Sequence, residues 1–169
     1  MTAPIIPPIF PSSVTPAGQP SLGHSLRLDD GDLVFDEQAH DLAEVTELDA
    51  LSQALRLSIN TQLGTDRLNV QFGFDRLAIG AYAYNLTTRK EYVKMQLVRC
   101  VGLDARVRDV HEVFFSDDPR AFDAQPQLDA VAQEQVVAAV RASRDYTVFV
   151  VIETVTNQPL TVDAEATLG

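Results

Sequence analysis

Hydrophobic and polar positions divide the chain into segments of different period. In "SLRLDDGDLVFD", residues 25–36, Leu26 and Leu28 alternate with polar residues, as do Leu33 and Phe35. That is the period of a half-exposed strand, and the intervening Asp-Asp-Gly-Asp predicts a hairpin turn. A calcium loop needs a longer series of oxygen ligands and a distal Glu, so the turn is the better reading. In "ELDALSQALRLSINTQLGTD", Leu48, Leu51, Leu55, Ile59 and Leu63 recur every three or four residues, with Gly64 placed for a C-cap. This predicts the first helix. The following stretch, through Leu86, holds Phe72, Phe74 and Tyr82 with glycines at 73 and 80, and predicts an ordered loop with a short strand at its end. Its Phe-Gly-Phe allows a small-molecule contact, but packing onto the core is the commoner use of such a loop.

A second helix is expected from about Thr88 to Gly102. Its stripe is Val93, Leu97, Cys100 and Val101, and Met95 and Val98 widen it enough to predict burial on more than one side. "ARVRDVHEVFF" carries apolar residues on both faces, as an interior strand does. "DDPRAFDAQPQ" breaks the pattern, and Leu128, Ala132, Val136 and Val140 mark a third helix. The chain closes with the β-branched run "DYTVFVVIETV", a turn at "NQP", and "LTVDAEATL". In that last strand Leu160, Val162, Ala164 and Ala166 face one way, with Thr161, Asp163, Glu165 and Thr167 opposite. The order predicts an α+β fold: a mostly antiparallel sheet with two or three helices packed on one face.

Composition adds limits. Residues 1–23 hold six of the nine prolines, which predicts an extended tail before a single domain over residues 24–169. Ile5, Ile6, Ile9 and Phe10 suit a tail lying against a neighbour or its own domain; plain disorder is equally open. A net charge of -11 repels a phosphate backbone, so nucleic acid is disfavoured as a partner. No apolar run is long enough for a membrane span, and the start lacks the basic region of a secretion signal. The lone Cys100, within an apolar helical pattern, reads as a core residue.

No phosphate-binding loop, dinucleotide fingerprint, zinc-protease helix or nucleophile elbow is present, and no cofactor or metal is expected. His24, His40 and His111 are scattered. Glu91 and Glu112 are the only acids set among apolar neighbours in regular elements, which makes them the candidates for an acid/base pair; a structural role is favoured over it. Between the second helix and the next strand, Asp104 and Arg106 form a charged corner. It reads either as a helix terminus or as a guanidinium fork for a carboxylate or helix-end carbonyls on a partner.

In this order, "LRLDDGDLVFD", "LDALSQALRLSINTQLGT", "NVQFGFDRL" and a helix ending "VGLDARVRDVHEV" resemble one family. It is the tail-lysozyme-like baseplate wedge proteins of contractile phage tails, with relatives in type VI secretion and extracellular contractile injection systems. The resemblance runs from about Ser25 to Phe115 and takes in the terminal strands. Asp104, Ala105 and Arg106 occupy the place of an acid-Pro-Arg signature, and Phe72, Gly73 and Leu77 that of an aromatic-Gly-Leu thread. Ala105 departs from the signature proline, and Val70 stands where a proline is common.

The resemblance implies a sheet like the interlocking domain of the sheath subunit and a corner that grips the helical bundle of larger baseplate wedge proteins. It further implies a closing strand, with Leu160 and Val162, from which the sheath polymerises, and six-fold assembly near tube or hub proteins. The particle would assemble in the cytoplasm and form part of a phage tail-like machine. A structural, non-enzymatic role follows; the alternative is a peptidoglycan hydrolase acting during cell attachment.

Overall fold

The computed structural model describes residues 20–81, 84–123 and 129–168. The fold is α+β, with antiparallel strand pairing throughout the named strands. It begins with a β-ribbon in which β1 (His24–Leu26) pairs with β6 (Glu44–Thr46). Two small hairpins grow from that stem: β2 (Leu28–Asp29) with β3 (Asp32–Leu33), and β4 (Phe35–Asp36) with β5 (Asp41–Leu42). The first is the predicted turn. Asp30 and Gly31 have φ of 49° and 90°, the left-handed pair that an Asp-Gly hairpin supplies.

Helix α1 (Glu47–Asn60) buries Ala50, Leu51, Leu55, Ser58 and Ile59. It ends at Asn60, four residues before Gly64, and its C-cap Thr61 takes φ -85° and ψ 130°. The last predicted turn is lost to the thread. Phe74 N–H donates to Thr61 O (2.8 Å) and Leu63 N–H donates to Phe74 O (3.1 Å), so residues 61–63 are held extended. The loop carries a short helix that the sequence pattern does not predict, α2 (Arg76–Ala81), whose Ala78 N–H is accepted by Asp75 Oδ1 at 3.2 Å. Tyr82, in the part where a short strand is expected, lies outside the described residues.

Helix α3 (Leu86–Gly102) starts at Asn85, whose side chain accepts from Thr88 N–H. Its buried stripe is Val93, Gln96, Leu97, Cys100 and Val101, while Met95 and Val98 are exposed. The expected double-sided burial is therefore wrong: α3 packs on one face. A three-stranded sheet follows in the order β7-β8-β9, from β7 (Val107–Phe115), β8 (Asp145–Thr154) and β9 (Pro159–Thr167). Strand β7 lies at the edge, not in the interior. Register shifts between Val107 and Asp109 and between Val110 and Glu112 bulge it. Val107, Val110 and Val113, three residues apart, all pack against the core, although strict alternation would place Val110 opposite the other two.

The core lies between the sheet and α1 with α3. Val148, Val150 and Ile152 of the central strand are fully buried, as are Val162 of β9 and Leu51 of α1. The alternation read from β9 holds, with Val162, Ala164 and Ala166 buried. Helix α4 (Ala130–Ser143) packs more lightly, with no fully buried residue. Leu128, Ile5, Ile6, Ile9 and Phe10 lie outside the described residues. Leu22 is fully buried, so the packed domain already includes residues just before position 24. No helix among the described residues is long and apolar enough to cross a membrane.

A candidate partner-binding groove

The corner after α3 is closed by hydrogen bonds rather than by a proline. Asp104 N–H donates to Val101 O and Val107 N–H donates to Asp104 O, at 3.2 and 2.9 Å. The Asp104 carboxylate receives the Arg106 guanidinium side-on, from Nε at 2.9 Å and Nη2 at 2.7 Å, and also accepts Arg106 N–H at 3.0 Å. Two parallel charge-assisted bonds fix the plane of the fork. The guanidinium holds the Asp104 carboxyl below the usual carboxylate range, chiefly through these hydrogen bonds.

Arg106 Nη1 donates across the fold to Leu22 O at 3.0 Å. Three of its five N–H groups are thus engaged inside the chain, leaving one on each terminal nitrogen. The side chain remains 31% exposed. On the other side of the same residue, Leu22 N–H donates to Glu47 Oε2 at 3.0 Å, and Ser21 Oγ donates to Glu47 Oε1 at 2.9 Å. Leu22 is therefore held through both its backbone groups by side chains from separate elements. Sequence reasoning missed this anchor; the only local sign was a leucine beside Gly23 at the end of a proline-rich stretch.

The aromatic-Gly thread arrives at the same place. Gly73 has φ +108°, and a Cβ there would sit 2.7 Å from Thr61 O and 2.9 Å from Leu63 N. Only glycine lets the thread pass so close to the end of α1. The next side chain, Phe74, enters the core, while Phe72 turns to a groove of about 430 Å³. Leu55 and Leu57 of α1 and Leu103, Asp104 and Arg106 of the corner also line this groove. Its rim is apolar and open: Leu57 is 43% and Leu103 59% exposed. Arg99 Nη2 donates to Gln71 Oε1 at 2.9 Å, tying the thread to α3. Cys100 and Ser58 meet at the groove floor, Sγ to Oγ 3.1 Å, and burial pushes the thiol's pKa up.

The structure thus brings Phe72, Asp104 and Arg106 to one groove, with buried Gly73 shaping the turn beside it. Ala105 is an exposed residue between the two charges. Leu77 sits apart on α2, with 73% of its surface in water. Val162 is wholly buried and Leu160 half-buried, so neither side chain is presented at the outer backbone margin of β9. No strand among the described residues pairs with that margin, though Arg56 of α1 reaches Asp163 at 2.5 Å.

Glu91 and Glu112 border a second, shallower groove between α3 and β7, with His111. Glu91 is ion-paired with Lys94 at 3.1 Å and Glu112 with Arg120 at 3.4 Å, and their side chains are 65% and 49% exposed. Neither carboxylate is enclosed by apolar side chains. His24 and His40 are exposed and do not line this groove, and no cluster of three metal-ligating side chains occurs among the described residues.

No model of a known protein family matches the chain, and no curated protein matches it. Among solved structures, a crystal structure of a "putative tail lysozyme" from Geobacter sulfurreducens aligns with a TM-score of 0.48 and 13% identity. The alignment covers 82% of this chain and 97% of that one. At that score and identity the likeness assigns neither an activity nor a partner to this protein.

Proposed function

We propose that this protein is a non-enzymatic assembly subunit, the small wedge component of a contractile injection baseplate. The observation that carries the reading is the meeting of two separate motif positions, Phe72 and Asp104 to Arg106, at one apolar groove. A groove with an exposed leucine rim suits an apolar helical segment of a larger wedge protein. The two remaining N–H groups of Arg106 then face a carboxylate or helix-end carbonyls on that segment. The free margin of β9 presents backbone groups to a strand of the sheath subunit. In this reading the protein joins a six-fold, phage tail-like particle.

Co-assembly with the larger wedge proteins tests the proposal. Arg106→Ala also loosens the fold, so Leu103→Ser and Leu57→Ser, on exposed side chains, separate binding from folding. Wild-type wedge assembly and sheathed-particle yield in all three variants would refute it. The alternative reading, peptidoglycan hydrolysis, draws on Glu91 and Glu112 bordering one groove. Turnover of labelled cell wall by purified protein, abolished by Glu91→Gln or Glu112→Gln, would replace the assembly reading.

A further inference from the structure

The β-ribbon of residues 24–46 contributes no lining residue to the groove and no strand to the three-stranded sheet. Leu26, Leu33, Phe35 and Leu42 are 40%, 53%, 57% and 36% exposed, although Leu28 pairs with Leu33 and Phe35 with Leu42 in register. Cross-strand apolar pairs ordinarily mark the buried side of a ribbon, and here Leu33, Phe35 and Leu42 face water while Leu28 is half-buried. The ribbon is nonetheless held in place. Gln53 of α1 donates from Nε2 to Leu26 O at 2.8 Å and accepts Leu28 N–H on Oε1 at 2.8 Å, as a neighbouring strand would. An apolar surface fixed in this way is preorganised for a partner.

Charge specifies what covers it. The segment contains Asp29, Asp30, Asp32, Asp36, Glu37, Asp41 and Glu44 against Arg27 alone, a net of -6 out of the chain's -11 with histidines neutral. All seven carboxylates belong to exposed residues, and none forms a salt bridge among the described residues. A second copy of this chain brings the same negative charge and is repelled. Residues 1–19 contain no Lys or Arg, so they cannot supply the complement either.

We infer that the ribbon is a docking arm for a basic segment of another protein, one whose apolar side chains cover Leu33 and Phe35 while flanking Lys or Arg residues meet the aspartates. Leu33, Phe35 and these aspartates do not line the groove, and the contact stands whether or not the wedge reading holds.

Fluorescence anisotropy of the full chain with three labelled peptides tests it: an amphipathic Lys-Leu helix, the same length with Lys and Ser, and a Glu-Leu counterpart. The Lys-Leu peptide should bind at least about tenfold more tightly than either control, and the affinity should fall steeply as salt rises from about 0.05 to about 0.5 M. Leu33→Ser with Phe35→Ser, and separately Asp29→Asn with Asp30→Asn and Asp32→Asn, should each weaken it about tenfold. Circular dichroism establishes that both variants are folded. Leu103→Ser, in the groove, should leave this affinity unchanged. Equal binding of the Lys-Ser peptide, indifference to the ribbon substitutions, dependence on Leu103, concentration-dependent self-association through the ribbon, or no binding at all would each overturn the inference.

Discussion

Replacing Arg106 by alanine measures how far the corner is a structural joint. The substitution removes two charge-assisted bonds to Asp104 and the bond to Leu22 O. A fully exposed ion pair contributes about 0–1 kcal/mol, whereas breaking a buried one costs about 3–5 kcal/mol. With side chains 31% and 22% exposed, this pair falls between those limits, at about 1–2 kcal/mol after solvent screening. Leu22 is fully buried, and its carbonyl loses the Arg106 donor, which costs about 1 kcal/mol more. The expected loss is about 2–3 kcal/mol, a fall in Tm of roughly 4–12 °C for a domain of this size.

The chain has no Trp, so a urea titration followed by far-ultraviolet circular dichroism is the suitable assay. Arg106→Lys keeps the charge without the fork and should recover less than half of the loss. A double-mutant cycle with Asp104→Asn should give a coupling of about 1–2 kcal/mol. A loss below about 0.5 kcal/mol in Arg106→Ala, the range of ordinary surface substitutions, refutes the reasoning.

Three further outcomes follow from the same geometry. Gly73→Ala forces a Cβ into Thr61 O at a strained φ, and thermal unfolding should show a loss of about 2 kcal/mol or more. The folded-state pKa of Asp104 lies below its unfolded value of about 3.9, so its contribution is complete above that value and is lost as pH falls through the folded pKa. Stability measured from pH 7 to pH 2 should therefore decline at the acid end, more shallowly in Asp104→Asn; equal acid limbs would remove Asp104 from that account. Finally, buried Cys100, with its raised pKa, should react with an aromatic disulfide reagent at least about a hundredfold more slowly in the native protein than in urea.

Much of the fold was legible because its signals are local. The Asp-Asp-Gly-Asp turn, the leucine stripe of α1 and the alternation of β9 each need only neighbouring residues to be read. Errors arose where a distant segment changed the outcome. The end of α1 moved because Phe74 competes for the backbone at Thr61 and Leu63. Strand β7 looked central because two bulges turn Val107, Val110 and Val113 toward one core, a sequence that strict alternation spreads over both faces. Met95 and Val98 extended the apparent stripe of α3, but side-chain identity alone does not require an element to cover them.

The groove was legible as separate residue types but not as an arrangement. Asp104 and Arg106 are two residues apart, and their mutual fork could be anticipated; the acceptor on Leu22 is 84 residues away from Arg106. That distant bond changes what the corner can do. A guanidinium free to swing would lose side-chain entropy on meeting a partner, whereas this one is already fixed by Asp104 and Leu22. On the proposed reading, the internal bonds and the partner contact do not compete. The former set the direction of the two unspent N–H groups, and Leu57 and Leu103 provide the exposed apolar rim beside them. Loss of Leu22 anchoring should therefore weaken partner binding even though Leu22 itself is buried, a coupling that an isolated acid-x-Arg motif does not convey.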